Sequence, residues 1–486
     1  MTEQSISITD ATVWTGSADQ PGLFTKRTIS IADGRITAIE PTTPGDEEAD
    51  IHIDGSSLLV TPGLIDAHAH TGHRLSVGFA QDVPELQWMD QALGPMARAT
   101  SHEDRLIASK LAVLESIRSG VTTICEYGTE VTSILEAVHL PAGMRAVGVE
   151  TINEIVDRPE DGPYELDRSA SESARNRTAT LFDTAEEHER LTAMYGPQAL
   201  DMVTPTTMDE IIEQARKEDA KVHIHLAQGG RERRQLQDRY GVDSAVSLLQ
   251  ERDWLDECLV GAHLHGATPQ QRRSLAAAGA SMVGCPSSIG AIDGIIPPIA
   301  EYREFGGTVA IGTDQAPGGA GGHHLLSELR QAWLFAKVEH GDPTAMSVWE
   351  VLSLGTIGGA NALGVADEVG TLEAGKRADL ACFDLDSLSL TPTSAEVAAT
   401  PLTALISSGG RTTATHVIVG GEFIRRDGEF VTLDADTIYS QAREHASELQ
   451  ERGAPDWFEA GSALVDAVES GPFGVDHPDG YEDQQR

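Results

Sequence analysis

Four short segments of this 486-residue chain carry side chains that could share one metal ion. The first is TPGLIDAHAH, where an apolar run leads into His68-Ala69-His70. Residues two apart on a strand share a face, so both imidazoles would point the same way. At the C-terminal end of a strand such a pair can hold a divalent cation. The second is KVHIHLAQ, in which His223 and His225 again share a face, and the third is VGAHLHGAT, with His263 and His265. The fourth is TVAIGTDQAP, where Asp314 closes an apolar strand. A carboxylate there supplies a hard oxygen ligand and can take a proton from an activated water. Each segment alone is also compatible with packing or, for Asp314, with a helix cap. The spacing of Lys221, four residues before His225, offers no lysine suited to bridging two ions, so a single-ion site is expected.

These segments need a frame. Between them the pattern repeats a helix followed by an apolar strand. Ser101 opens one helix with Asp104 three residues on, and Gly120 ends it before VTTICEY. MDEIIEQARKEDA precedes KVHIHLA, TPQQRRSLAAAG precedes SMVGC, and AEYREFGG precedes TVAIGTD. Such repetition argues for a parallel sheet with helices outside, and its length suits a closed (β/α)8 TIM-like barrel over residues 61–365. Residues 1–60 and 366–432 instead read as short strands with turns at Asp33-Gly34, Gly420-Gly421 and Asp427-Gly428. The two ends are expected to meet as one composite β-sandwich, giving an α/β chain of two domains. Residues 433–486 read as an acidic helix followed by a loose tail, GPFGVDHPDGYEDQQR.

The composition narrows the partners. There are 35 Lys plus Arg against 76 Asp plus Glu, a formal charge of −41, and only 6 of the basic residues are Lys. Duplex nucleic acid and anionic membranes are poor partners for that surface, and a small molecule is the expected one. A carboxylate-dense, Lys-poor surface also suggests adaptation to high salt, where counterions screen self-repulsion. Cys125, Cys258, Cys285 and Cys382 are scattered without a Cys-x-x-Cys pair, which fits a reducing cytoplasm. No stretch reads as a signal core or a membrane span. A homo-oligomer is expected.

In their order along the chain, PGLIDAHAH, HIHLAQ, GAHLHGATPQQ, VGCPSS, IGTD and GTLEAGKRADL resemble the amidohydrolase superfamily. The branch is the one that includes methylthioadenosine/S-adenosylhomocysteine deaminase, guanine deaminase and atrazine chlorohydrolase. The stretch LSVGFAQDVPELQW, ending at Trp88, is similar to that branch's loop after its HxH pair, and the resemblance covers about residues 5–430. It implies His68, His70, His225 and Asp314 as ligands of one divalent ion, zinc before iron, manganese or cobalt. It implies Asp314 as the base and His263 as the group contacting water or substrate. His223 and His265 read as neighbours of the site, and Gln228, His263, Trp88 and His324 as substrate contacts. Paired His323 follows the same eighth-strand loop as His324.

Three departures bear on the substrate. Gln228 stands where the branch carries Glu, Val77 where it carries Arg, and Ile289 where it carries Asn. Gln cannot relay a proton at neutral pH. The expected reaction is hydrolysis of a non-peptide C–N bond, in the first place deamination of a heterocyclic or amidine-like molecule. A chlorohydrolase or a cyclic amide or ureide hydrolase on the same site is the alternative, and a non-catalytic scaffold is a third reading that the intact ligand set disfavours.

Overall fold

The computed structural model describes residues 4–471 apart from 21, 44, 46–47, 85–86, 160–161, 316–321 and 395–399. The glycine-rich segment after Asp314 and the expected loose tail fall largely outside the described residues.

Eight parallel strands form the central sheet in chain order. They are Leu64–Ala69, Val121–Gly128, Arg145–Ile152, Leu191–Pro197, Val222–Leu226, Leu259–His263, Ser281–Gly284 and Val309–Ile311. Helices alternate with most of them and cover the outside. The helix His102–Ser119 starts on the Ser101/Asp104 capping box and stops at Gly120, which has φ 95°. Inside, Ile65, Ala67, Val147, Val149, Val260 and Val283 fill the barrel with apolar side chains, so the centre is a core and not a pore.

The seam between first and eighth strands decides the chemistry. The His70 amide donates to the Asp314 carbonyl at 3.0 Å, and the Asp314 amide to the His68 carbonyl at 2.8 Å. Ala69 is thereby paired with Asp314, so closing the barrel places that carboxylate between two histidines. Gly312 makes the approach feasible: a Cβ there would lie 2.7 Å from the His68 carbonyl oxygen.

The chain ends meet as expected, in one continuous hydrogen-bonded sheet of nine strands. Its Leu58–Pro62 strand, from the N-terminal end, pairs antiparallel with Leu380–Asp384 from the C-terminal end. Ile8, Ile29, Val60, Leu380 and Ile418 form its own core.

Helix Ala435–Ala460 packs back against the barrel. The Trp457 indole N–H donates to the Phe79 carbonyl at 3.0 Å, and His445 Nδ1 lies 2.9 Å from Asp104. The Ala463 amide, on the next helix, donates to Gln87 at 3.0 Å. This terminal unit thus braces the segment after the HxH pair, an association that the acidic sequence of residues 433–486 did not disclose.

Candidate active site

His68, His70, His225, His263 and Asp314 converge at the C-terminal mouth of the barrel, where strand ends collect catalytic groups in this architecture. His68 Nε2 lies 3.6 Å and His70 Nε2 3.3 Å from Asp314 Oδ1. His68, His225 and His263 form one group able to present ligand atoms to a common ion, and His68, His70 and Asp314 another. His68 Nε2, His70 Nε2 and Asp314 Oδ1 are all buried without a hydrogen-bond partner. Orphaned buried polar atoms are costly, and three aimed at one another fit a cation.

The surrounding groups set the ring orientations. His225 Nδ1 donates to the Gln198 carbonyl at 2.9 Å, leaving Nε2 as a lone pair, the arrangement usual for a ligating imidazole. His68 Nδ1 meets His223 Nε2 at 3.0 Å, and His223 Nδ1 meets Cys125 Sγ at 3.5 Å. His223 therefore stands behind His68 as an orienting group. His265 is buried beside Asp293, 3.6 Å away, with its ring centroid 6.2 Å from that of His263.

Several strand ends carry unusual backbone. Ala227, His263, Leu264 and Asp314 have φ of 49°, 81°, 55° and 54°, which non-glycine residues adopt only where the surroundings enforce it.

Electrostatics favour neutral imidazoles and an ionised Asp314. Burial pushes His263 down to about 3 and His73 to about 4. Burial alone would raise the Asp314 carboxyl, but the His68 and His70 imidazoles beside it hold it well below the usual range. Its Oδ2 accepts from the Ser288 hydroxyl at 2.5 Å.

A cavity of about 360 Å³ opens beside this cluster, and His70, His225, Gln228, Tyr127, Met89 and Arg105 are among its walls. Two expected substrate contacts lie elsewhere. Trp88 is buried in a satellite cluster with Ala80, Val83 and Leu93, while its neighbour Met89 faces the cavity. His324 caps a helix at the junction with the terminal strands, its Nε2 3.0 Å from the Thr412 carbonyl. His323 is buried against Thr313, at 2.9 Å.

Sequence reasoning missed five side chains. Glu126, buried in the cavity wall, accepts from the Thr71 hydroxyl at 2.5 Å and pairs with His139 at 3.0 Å. Ser288 holds Asp314, and its only signal was the VGCPSS segment. His73 and Gln315, beside His70 and Asp314, line the cavity. The fifth is Glu232, whose carboxylate accepts from the Gln228 backbone amide at 2.8 Å and so braces the loop carrying that side chain.

Burial, with the nearby Asp201 charge, pushes the Glu232 carboxyl up to about 8. An unfolded Glu titrates near 4.3. Between those values the folded chain holds a proton that the unfolded chain has released, so this group's stabilising contribution is lost as pH rises toward 8. Glu232→Gln keeps an acceptor for the Gln228 amide and removes the titration. Melting temperature measured from pH 6.5 to 8.5 should fall more steeply in the wild type than in that variant; parallel curves would refute the buried proton.

Comparison with known proteins agrees with this geometry. A model of the amidohydrolase family matches residues 59–424. A 5-methylthioadenosine/S-adenosylhomocysteine deaminase from Moorella thermoacetica is 33% identical over 86% of this chain and 94% of its own. A 5'-deoxyadenosine deaminase from Methanosarcina barkeri is 31% identical over 92% of this chain and 99% of its own. Among solved structures, an adenosine deaminase from Xanthomonas campestris with bound zinc superposes with a TM-score of 0.83 at 25% identity, covering 92% of this chain and 98% of that one.

Proposed function

Because the chain belongs to the amidohydrolase family, we propose that this metal-dependent hydrolase of non-peptide C–N bonds is an aminohydrolase, releasing ammonia from a heterocyclic small molecule. The observation that carries the reading is the convergence of three unpartnered buried atoms, His68 Nε2, His70 Nε2 and Asp314 Oδ1. With His225 Nε2 they make a three-imidazole, one-carboxylate set that suits zinc, and the solved relative from Xanthomonas campestris carries zinc.

A divalent ion held there would supply Lewis acidity and lower the pKa of a bound water toward about 7. Asp314 is the base: Ser288 fixes one carboxylate oxygen, and the carboxylate is ionised and ready to accept a proton. His263, neutral and buried, offers a ring nitrogen to hydrogen-bond the attacking water or the substrate. His223 and the Gln198 carbonyl keep the His68 and His225 rings in register. Gln228, at the cavity wall, hydrogen-bonds the substrate and relays no proton.

The similar deaminases bear names of adenosine derivatives, but Gln228 separates this chain's pocket from the branch pattern. That neutral residue also favours a second reading, in which the leaving group is a halide or belongs to a cyclic amide or ureide. Ammonia release from a panel of aminated purines, pyrimidines and triazines distinguishes the two.

Four buried, unpaired cysteines support a reducing, cytoplasmic setting. Among the described residues no helix is long and apolar enough to cross a membrane. Val338 and Trp349, 69% and 52% exposed, support self-association. The charge of −41 with 6 lysines supports adaptation to salt. On that reading the melting temperature rises as salt goes from low to molar concentration, because counterions relieve carboxylate repulsion. A flat or falling trend would mark an ordinary acidic enzyme.

A further inference from the structure

His73 lies on the turn Thr71–Ser76 just past His70, and Gln315 directly follows Asp314. The barrel seam that joins the two metal-site segments therefore also joins these two side chains. His73 Nδ1 sits 3.1 Å from Gln315 Oε1. The His73 ring stacks on His70, with centroids 5.8 Å apart and planes 8° from parallel. Both residues line the cavity that Gln228 also lines.

Among the described residues no further hydrogen bond engages His73 Nε2 or the Gln315 amide nitrogen. Glu126 in the same lining is by contrast engaged by Thr71 and His139. His73 Nε2 and the Gln315 amide also have a definite combined character. If His73 Nδ1–H donates to the Gln315 oxygen, Nε2 is left as an acceptor and the amide NH2 as a donor. If the amide is turned over, Nε2–H becomes the donor and the amide oxygen the acceptor. In either state the pair shows the cavity one donor and one acceptor.

We propose that His73 and Gln315 form one specificity-determining pair that reads a donor–acceptor edge of the substrate ring. The complementary chemistry is a neutral heterocycle with an amidine edge, a ring nitrogen beside an N–H, or a lactam edge, an N–H beside a carbonyl. The pair can turn over to match either. This deepens the aminohydrolase reading and rests on it, since the edge being read borders the carbon that loses its amine. Its place next to His70 and Asp314 keeps that edge close to the reacting centre.

The test is equilibrium binding, by calorimetry on the metal-loaded protein, of two probes that have no amine to release. Hypoxanthine, used as its 9-methyl derivative, presents a lactam edge; purine, likewise 9-methylated, presents ring acceptors and no ring N–H. The wild type should bind hypoxanthine roughly tenfold more tightly, the size expected when a desolvated polar group gains or lacks its partner. That preference should fall toward unity in Gln315→Leu and in His73→Phe, with metal content measured as unchanged in each. Equal binding of the two probes by the wild type, absence of binding by both, or a preference that survives both substitutions would overturn the proposal. Its failure is distinguishable from failure of the aminohydrolase reading. Ammonia release without discrimination removes the pair alone, and discrimination without ammonia release removes the reaction alone.

Discussion

Asp314→Ala should lower kcat by at least about a thousandfold, measured as product release under saturating substrate. General bases alone contribute roughly 10²–10⁴-fold, and this carboxylate is also read as a ligand, so two functions are lost together. The residue occupies a seam in which the His70 amide bonds the Asp314 carbonyl and the Asp314 amide bonds the His68 carbonyl. Those are backbone bonds, so truncating the side chain leaves the barrel closure in place. The φ of 54° is less accessible to Ala than to Asp, however, so circular dichroism should accompany the rate. An Asp314→Ala protein that is folded and retains activity would remove Asp314 from the role of base.

Gln228→Glu should cost roughly 5–150-fold in kcat/KM on the best substrate of the aminated panel, corresponding to about 1–3 kcal/mol for a buried acceptor left facing an unmatched group. Local charge adds to the cost. Glu232 already holds the Gln228 amide at 2.8 Å, and the buried Asp201 carboxylate raises the Glu232 pKa further. A carboxylate at 228 would sit beside a protonated Glu232, in the field of Asp201. The opposite outcome has a clear meaning: a Gln228→Glu variant with undiminished or increased ammonia release would show that the site accommodates, and profits from, a proton relay.

The barrel was legible in the sequence because it is set by local periodicity, and the candidate ligands because their motifs resemble those of the amidohydrolase superfamily. Two-residue spacing puts His68 with His70 and His223 with His225 on common faces, and apolar strands alternate visibly with capped helices. What the sequence left dark depends on contacts between distant segments. Trp88 and Met89 are neighbours in sequence, yet only Met89 reaches the cavity, because the helical turns Trp88–Leu93 rotate the indole into its own apolar cluster. His324 carries the same residue type as the ligands but is turned to the Thr412 carbonyl by the helix it caps. His73 and Gln315 carry no signal that links them in the sequence, and their pairing exists only once the first and eighth strands are closed. Glu232 carried a faint signal, a carboxylate one helical turn beyond Gln228, but its partner is a backbone amide that no side-chain pattern records.

The account's central claim is that a divalent ion held by His68, His70, His225 and Asp314 drives release of ammonia from an aminated ring. Its most direct test is ammonia release from the heterocycle panel by the purified protein, measured before chelation, after removal of the ion, and after adding back one equivalent of zinc. The account predicts release from at least one panel member, loss on chelation and recovery with a single equivalent per chain. Ammonia release that persists after the metal content has fallen to zero would contradict it, as would a protein fully loaded with zinc that releases ammonia from none of the panel.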